Sequence, residues 1–548
     1  MTHASSFSTH VVENQPDEIS PYNLWTQDPC LKRVVAENVG AWAESALSQY
    51  GEVCGHQLMR HGEQANQHKP IFKPFDRYGR RIDQIDFHPS YHVLMESAMH
   101  AQVHSFSWLN KDKGGAHVAR AALMYMHFQA DGGTSCPLTM THAAVAALKH
   151  GSDDIQAWIK PLIEGQYDSK QAPAKHKAGL TFGMGMTEKQ GGSDVRKNTT
   201  AATQNDDGSY SIVGHKFFFS APMCDAHIIL AQTPKGLSCF LLPRVLDNGE
   251  LNNVHIQRLK DKLGDWSNAS SEVEFLNARA HLLGQEGRGV NVIIDMVSLT
   301  RLDCMIGSSA LMRQAWVQAY HHVTNREAFG KKLIDQALMK NVMADLALEQ
   351  LASLALTMRL AKAIDESGSN ENEARFARLA TAVGKYWICK RAPAFANEAQ
   401  ECLGGLGYVE ENPLPRLYRQ APLNSIWEGS GNVQCLDVLR TIQKEPHVLV
   451  SLFDELQLAA GKNLYFDEHL SRLRKMYEAQ STVEMESRLI VENTALALQA
   501  SLLLNVWPAH IGSAFCDARL AKNQGLVFGT LSANVPFDEI IASAALSL

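Results

Sequence analysis

One carboxylate, Glu428, stands between Trp427 and Gly429 in the run Ser425-Ile-Trp-Glu-Gly-Ser-Gly-Asn432. An aromatic neighbour excludes water and raises a carboxylate's pKa, a setting that suits a general base. The same position also fits a helix-terminal capping residue. A second segment, Gly183-Met-Gly-Met-Thr-Glu-Lys-Gln-Gly-Gly-Ser-Asp-Val195, brings glycines close together. Backbone amides can then approach a ligand, while Thr187 and Ser193 add hydroxyl donors. The run is neither a Walker loop nor a G-x-G-x-x-G fingerprint, so a dinucleotide held here is held without a Rossmann unit. In His215-Lys-Phe-Phe-Phe-Ser220, consecutive aromatics on a strand reach both faces. One face can pack in a core while the other covers a flat ring system. Arg326-Glu-Ala-Phe-Gly330 follows Arg301 by about seven helical turns, which puts both arginines on one face of a long helix. Glu401-Cys-Leu-Gly-Gly-Leu-Gly-Tyr408 and Arg419-Gln-Ala complete the set.

The elements that carry these runs change character along the chain. Residues 1 to about 40 read as an irregular arm ending in a helix, and the pattern is mostly helical up to 180. Residues 118–130 have high helix propensity and few breakers. Near 180 short segments take over, among them Tyr210–Val213, Phe217–Ser220, His227–Gln232 and Ser238–Leu242, separated by Asp206-Asp207-Gly208, Ala221-Pro222 and Pro234-Lys235-Gly236. Val273 and Phe275 alternate with Glu272 and Glu274, the period of a half-buried strand. Long breaker-poor stretches return at 290–325 and 337–365, where Leu351, Leu354, Met358 and Ala361 share a helix face. The expected architecture is α+β. It consists of an N-terminal arm and helical domain (1–180), a small β-barrel or sandwich domain (181–285), a helical bundle (286–445) and an extra helical domain (446–548).

Composition narrows the function. The chain has 548 residues, 45% apolar and 20% charged, which suits a multi-domain globular protein. Its net charge of -7 gives no global attraction to nucleic acid or to an anionic membrane. Ten scattered cysteines without a C-x-x-C favour reduced thiols and a cytoplasmic location over zinc ribbons or thioredoxin chemistry. The polar start lacks an apolar signal core. The uncharged stretch Asn493–Cys516 contains Gln499, Asn505, Pro508 and His510, so it suits a buried helix better than a bilayer span.

In their order and spacing the segments resemble the acyl-CoA dehydrogenase family over roughly residues 80–445. Thr187–Asp194 is similar to the family's T-E-P-x-A/G-G-S-D loop, His215–Ser220 to the strand ending W-I-T/S, and Arg326–Gly330 to R-x-x-F-G with Gln336 downstream. Leu403–Tyr408 resembles G-G-x-G-Y/F, and Trp427–Asn432 resembles Y-E-G-T/S-x-Q. The arm, the M-G-M-T-E-K-Q-G-G-S-D run, the S-I-W-E-G-S-G-N run and the tail resemble the AidB alkylation-response branch. This resemblance implies an FAD cofactor and an acyl-CoA thioester substrate, with Glu428 as the base that removes the α-proton while the β-hydride passes to the flavin. Some relatives place that glutamate just before the arginine matched by Arg301; here that neighbour is Thr300. Met186, Thr187, Gly192 and Ser193 are expected at the flavin or its pyrophosphate, Ser220 near N5, and Phe218 where the family often has tryptophan. Trp427, Gly429, Ser430, Gly431 and Asn432 would adjoin the cofactor, and Arg301 the substrate. Arg326, Phe329, Gln336, Gly404 and Gly405 would serve the FAD of a neighbouring subunit, which implies a homotetramer. Lys189-Gln190 and Phe218 depart from the family pattern and bear on the substrate more than on the cofactor.

The branch also implies double-stranded DNA binding and at most weak dehydrogenase activity, of the isovaleryl-CoA kind; the alternative is a fully active dehydrogenase with no DNA role. The tail 446–548 carries seven basic and eleven acidic residues, so its charge alone does not suggest DNA. Within it Arg472, Arg474 and Lys475 form the dense cluster, and Arg440 and Arg519 are further candidates. His88/His92 and His100/His104 have i,i+4 spacing but lack an evident third ligand, so no metal is assigned.

Overall fold

The computed structural model describes residues 9–478, 483–522 and 525–547. By contact the chain clusters into two compact units: residues 38–307 with 426–433, and residues 1–37 with 308–425 and 434–548. The boundaries drawn from sequence at 180, 285 and 445 divide the chain by element type. The two units group it by packing.

In the unit of residues 38–307 and 426–433, the helices Ala116–Ala130 and Gly132–Leu148 are buried almost throughout. Buried on every face, they are core helices, and their polar side chains such as Arg120 and His127 are satisfied by partners inside. Asp131 joins them and caps the second, its side chain accepting from Thr134 N at 2.7 Å. The segment 40–180 is mostly helical, as expected, with one hairpin that the sequence reading did not single out. Strands β1 (Ile71–Phe75) and β2 (Arg81–Asp86) form an antiparallel hairpin. Ile71 and Phe75 are exposed, and Pro74 lies between them, so β1 has no buried alternating face for a sequence pattern to betray.

The β domain holds β3 (Phe182–Gly185), β4 (Ala201–Gln204), β5 (Tyr210–Ser220), β6 (Ala226–Thr233), β7 (Gly236–Pro243), β8 (Val254–Leu259) and β9 (Ser270–Leu283). Their order is β3-β5-β4-β6-β7-β9-β8, and further pairings of β3 with β6 and β5 with β9 close the sheet on itself. Its core is built from Ile212, Phe219, Ile229, Phe240, Val273 and Phe275. The segments 210–213 and 217–220, read separately from sequence, are one strand. Between Lys216 and Phe219 that strand shifts register against β9, from Val273 to Ser271, which is a bulge. Lys216 and Phe219 both point inward, while Phe218 is turned out at 51% exposure. Bulges re-aim side chains in this way next to functional sites.

In the other unit the helices Ala337–Glu366 and Glu371–Cys402 form the centre. Leu351, Leu354, Met358 and Ala361 are all buried, as their spacing predicts. The tail is part of the same core. Arg359 pairs with Glu373 and with Glu455 of the helix Val448–Gln457, each at 2.8 Å. Buried Arg313 bonds Asp28 at 2.9 Å and the carbonyl of Ala544 at 2.6 Å, tying the N-terminal segment to the last helix. The helix Val483–Val506 includes a span, Glu484–Val506, apolar and long enough to cross a membrane, but 67% of its most apolar window is buried within the protein. It is a core helix of this unit.

Candidate functional site

Glu428 has φ +56°, a left-handed conformation that an L side chain adopts at a cost of about 1–2 kcal/mol, and Gly429 follows at +93°. Strain of this kind persists where surrounding structure imposes it. Here the restraint comes from the helix Gly289–Asn325. Arg301 Nε donates to the Glu428 carbonyl at 3.2 Å, and Thr300 Oγ1 donates to Glu428 Oε2 at 2.8 Å. Both are buried. One helix turn further on, Asp303 makes a buried pair with Arg120 (Nη2 to Oδ2, 2.7 Å) and accepts from Thr139 Oγ1 at 2.7 Å. That pairing locks the helix face carrying Thr300. The buried Cys136 thiol lies in the electrostatic field of Glu428, and burial pushes it up to about 12, so it stays protonated.

The glycine-rich loop lies along β5. Thr187 O accepts from Phe217 N at 2.8 Å, and Lys189 N donates to His215 Nε2 at 3.0 Å. Its anchor is Glu188, which sequence reasoning did not single out. Glu188 Oε1 meets Lys216 Nζ at 2.7 Å with both side chains fully buried, and Oε2 accepts from Thr199 N at 2.7 Å and Gln190 Nε2 at 2.8 Å. Burial opposes ionisation of Glu188, but the Lys216 ammonium and these donors outweigh it and hold the carboxyl at about 2. Burial pulls Lys216 down to about 8 against the attraction of Glu188. With the loop backbone pinned, Ser193 is left exposed, and Met186, Thr187 and Gly192 are partly exposed.

Known families match most of the chain. The family described as Adaptive response protein AidB N-terminal domain matches residues 14–169, the acyl-CoA dehydrogenase middle domain matches 183–278, and its C-terminal domain matches 287–443. AidB of Escherichia coli K12 is 43% identical over 95% of this chain and 96% of its own. The chain belongs to the acyl-CoA dehydrogenase family, in its AidB branch. Acyl-CoA dehydrogenase family member 11 of Caenorhabditis elegans is 29% identical over 92% of this chain and 84% of its own. The structure of C. elegans ACDH-11 in complex with C11-CoA superposes with a TM-score of 0.86 at 26% identity, covering 94% of this chain and 93% of that one. The apo form of Bd2924 superposes at 0.83 with 29% identity, covering 90% and 99%.

The family's cofactor is FAD, and the residues present fit it. A Cβ at Gly191 would meet nothing within 4 Å, so the loop backbone is open to a ligand there, while a Cβ at Gly192 would strike Thr187 Oγ1. Phe218 offers an exposed aromatic ring on the strand that the loop follows. Met186, Thr187, Gly192, Ser193, Phe218, Ser220, Arg301 and Trp427–Asn432 all fall in one compact unit together with Glu428. Arg326, Phe329, Gln336, Gly404 and Gly405 fall in the other unit, as does the short hairpin of β10 (Glu327–Ala328) and β11 (Lys331–Lys332). Arg326 lies one residue past the end of its helix rather than on it, and its guanidinium donates to the Asn14 carbonyl. Asn14 also bonds both backbone groups of Glu327, at 2.8 and 2.9 Å. Gln336 donates to Ala328 O at 3.0 Å. Phe329 stands 98% exposed at the tip, with φ +54°. Gly404 and Gly405 are exposed as well.

Among the proposed DNA contacts, Arg440, Arg472, Arg474 and Lys475 are exposed. Arg519 is a correction: its side chain is 13% exposed and is engaged by Asp345 and by Glu349 at 3.2 Å, so it presents no open charge. Three of the four paired histidines have other partners. His88 caps the helix Pro89–His100, His92 Nδ1 bonds Tyr167 Oη at 2.8 Å, His104 Nε2 bonds Leu162 O at 3.0 Å, and His100 is exposed. Among the described residues no three His, Cys, Asp or Glu converge as a metal site.

Proposed function

We propose that this protein oxidises an acyl-CoA thioester between Cα and Cβ, with Glu428 taking the α-proton. Bound FAD would accept the β-hydride. The observation that carries this reading is the restraint of Glu428 in a strained backbone conformation by Thr300 and Arg301, with its carboxylate anchored by a neutral donor. In this account Phe218 covers one face of the ring system, the 186–193 loop supplies hydroxyl and backbone donors, and Arg301 steadies the thioester end of the site. Binding of C11-CoA by the C. elegans relative supports a fatty acyl thioester as the substrate class. The first test is the visible spectrum of the purified protein, followed by anaerobic addition of straight- and branched-chain acyl-CoAs. Flavin bleaching by at least one thioester is expected; a yellow protein that no thioester bleaches would overturn the dehydrogenase reading.

The strained, exposed Phe329 hairpin and the open Gly404–Gly405 turn support assembly with further copies of this chain as a homotetramer, each copy completing a neighbour's FAD site. Ten buried cysteines held as thiols support a reducing, cytoplasmic location. A second role, double-stranded DNA binding in the adaptive response to alkylation, is supported by the AidB N-terminal match and by the exposed Arg440, Arg472, Arg474 and Lys475. Reversing Arg472, Arg474 and Lys475 to Glu together is expected to weaken duplex binding and flatten its salt dependence. Unchanged affinity and slope would remove this surface from the account.

A further inference from the structure

We infer that Thr300 is the positioning residue that lets Glu428 gain and lose a proton without moving. The inference rests on the reading of Glu428 as the base. Thr300 Oγ1 sits 2.8 Å from Glu428 Oε2 and 3.0 Å from the carbonyl of Val297. A hydroxyl has one proton to give and lone pairs to receive. When Glu428 is ionised, the Thr300 proton points to the carboxylate. When Glu428 has taken the α-proton on Oε1, Oε2 goes on accepting from Thr300; when the proton sits on Oε2, that O–H turns to donate to Thr300 Oγ1 and the threonine proton turns to Val297 O. Both charge states are then satisfied by reorienting hydroxyl protons, with no proton lost and no heavy atom displaced.

The surroundings assign this task to Thr300. On its own helix, Arg301 directs Nε to the Glu428 carbonyl, anchoring the backbone. From the helix Gly132–Leu148, Cys136 faces Glu428 as a protonated thiol, and Lys262 and Asp265 lie beside Cys136. Lys262 Nζ is engaged with the carbonyls of Asp265 and Asn268 at 2.8 and 2.9 Å. Thr300 is 2% exposed, which leaves little access for water to replace its hydroxyl. Its β-branch limits side-chain rotation within the helix. This gives the threonine before Arg301 a positive role beyond leaving the alternative base position empty.

A hydrogen bond donated to an ionised carboxylate favours its charged form, so Thr300→Val should make Glu428 harder to ionise. Two readouts test this. In stopped-flow reduction of the holoenzyme by an acyl-CoA, the acid limb of the rate profile should move to higher pH in Thr300→Val and return in Thr300→Ser. In thermal melts, which need no turnover, Thr300→Val should fall further below wild type at pH 8 than at pH 5, and that pH dependence should vanish on a Glu428→Gln background. If Thr300→Val does not fold, Thr300→Ala is read in the same way. An unmoved acid limb together with a pH-independent melting difference would overturn the inference while leaving the base reading intact. Normal flavin reduction by Glu428→Gln would instead overturn the base reading itself.

Discussion

At the scale of single residues, the 186–193 loop depends on one buried ion pair. Removing one partner of such a pair leaves an uncompensated charge and costs about 3–5 kcal/mol. Lys216→Met should therefore destabilise the protein by that order in denaturant titration and lower its affinity for FAD, because Glu188 holds the loop backbone. The pair also has a pH signature. The folded carboxyl of Glu188, at about 2, lies below its unfolded value near 4.3. Its contribution is fully present above that unfolded value and is lost as pH falls toward 2. Residues grouped in local runs were legible from sequence: Glu428 beside Trp427, and the glycines and hydroxyls of 183–195. Partners distant in the chain were not. Thr300 is 128 positions from Glu428, and Arg519 looks free until Asp345, 174 positions earlier, folds against it.

At the scale of elements, the hairpin of β10 and β11 joins a poor turn residue to a good turn. A two-residue turn with both φ values positive favours Asn-Gly, yet the tip is Phe329-Gly330. Phe329→Asn should leave the fold as stable or raise it by up to about 1 kcal/mol in thermal melts. For the proposed homotetramer, the same change should shift sedimentation toward smaller species and reduce FAD retention. A variant that loses stability but stays tetrameric would show that the phenylalanine serves its own chain. The long helices and the β domain were visible in the sequence because their periods of 3.6 and 2 are sustained. The β1–β2 hairpin was hidden because β1 exposes Ile71 and Phe75 and buries only Phe72 in part, and the two halves of β5 looked separate because a bulge lies within the strand.

At the scale of the whole molecule, the tail folds into the same unit as the bundle, so cutting at 445 would strip partners from Arg359 and Arg313 and from the helices Ala337–Glu366 and Glu371–Cys402. Such a truncation is expected to aggregate, which is why surface charge reversal is the cleaner test of DNA binding. Buried neutral histidines set the acid limit of the fold. Burial pulls His104, His127 and His469 down to about 4 and His227 to about 3, with His142 also well below its ordinary value. Their folded values lie below the unfolded value near 6.5, so the unfolded chain binds more protons in that window and stability rises with pH there. The melting temperature should therefore fall steadily from pH 6.5 to 4, before most carboxylates titrate; a flat profile over that range would contradict this burial.

The most direct test of the central claim is anaerobic flavin reduction in wild type and Glu428→Gln, with both proteins shown to carry FAD. The account predicts that a thioester bleaches the wild-type flavin, and that the variant keeps its flavin and its melting temperature within a few degrees but is not bleached. Bleaching of Glu428→Gln at the wild-type rate would contradict it.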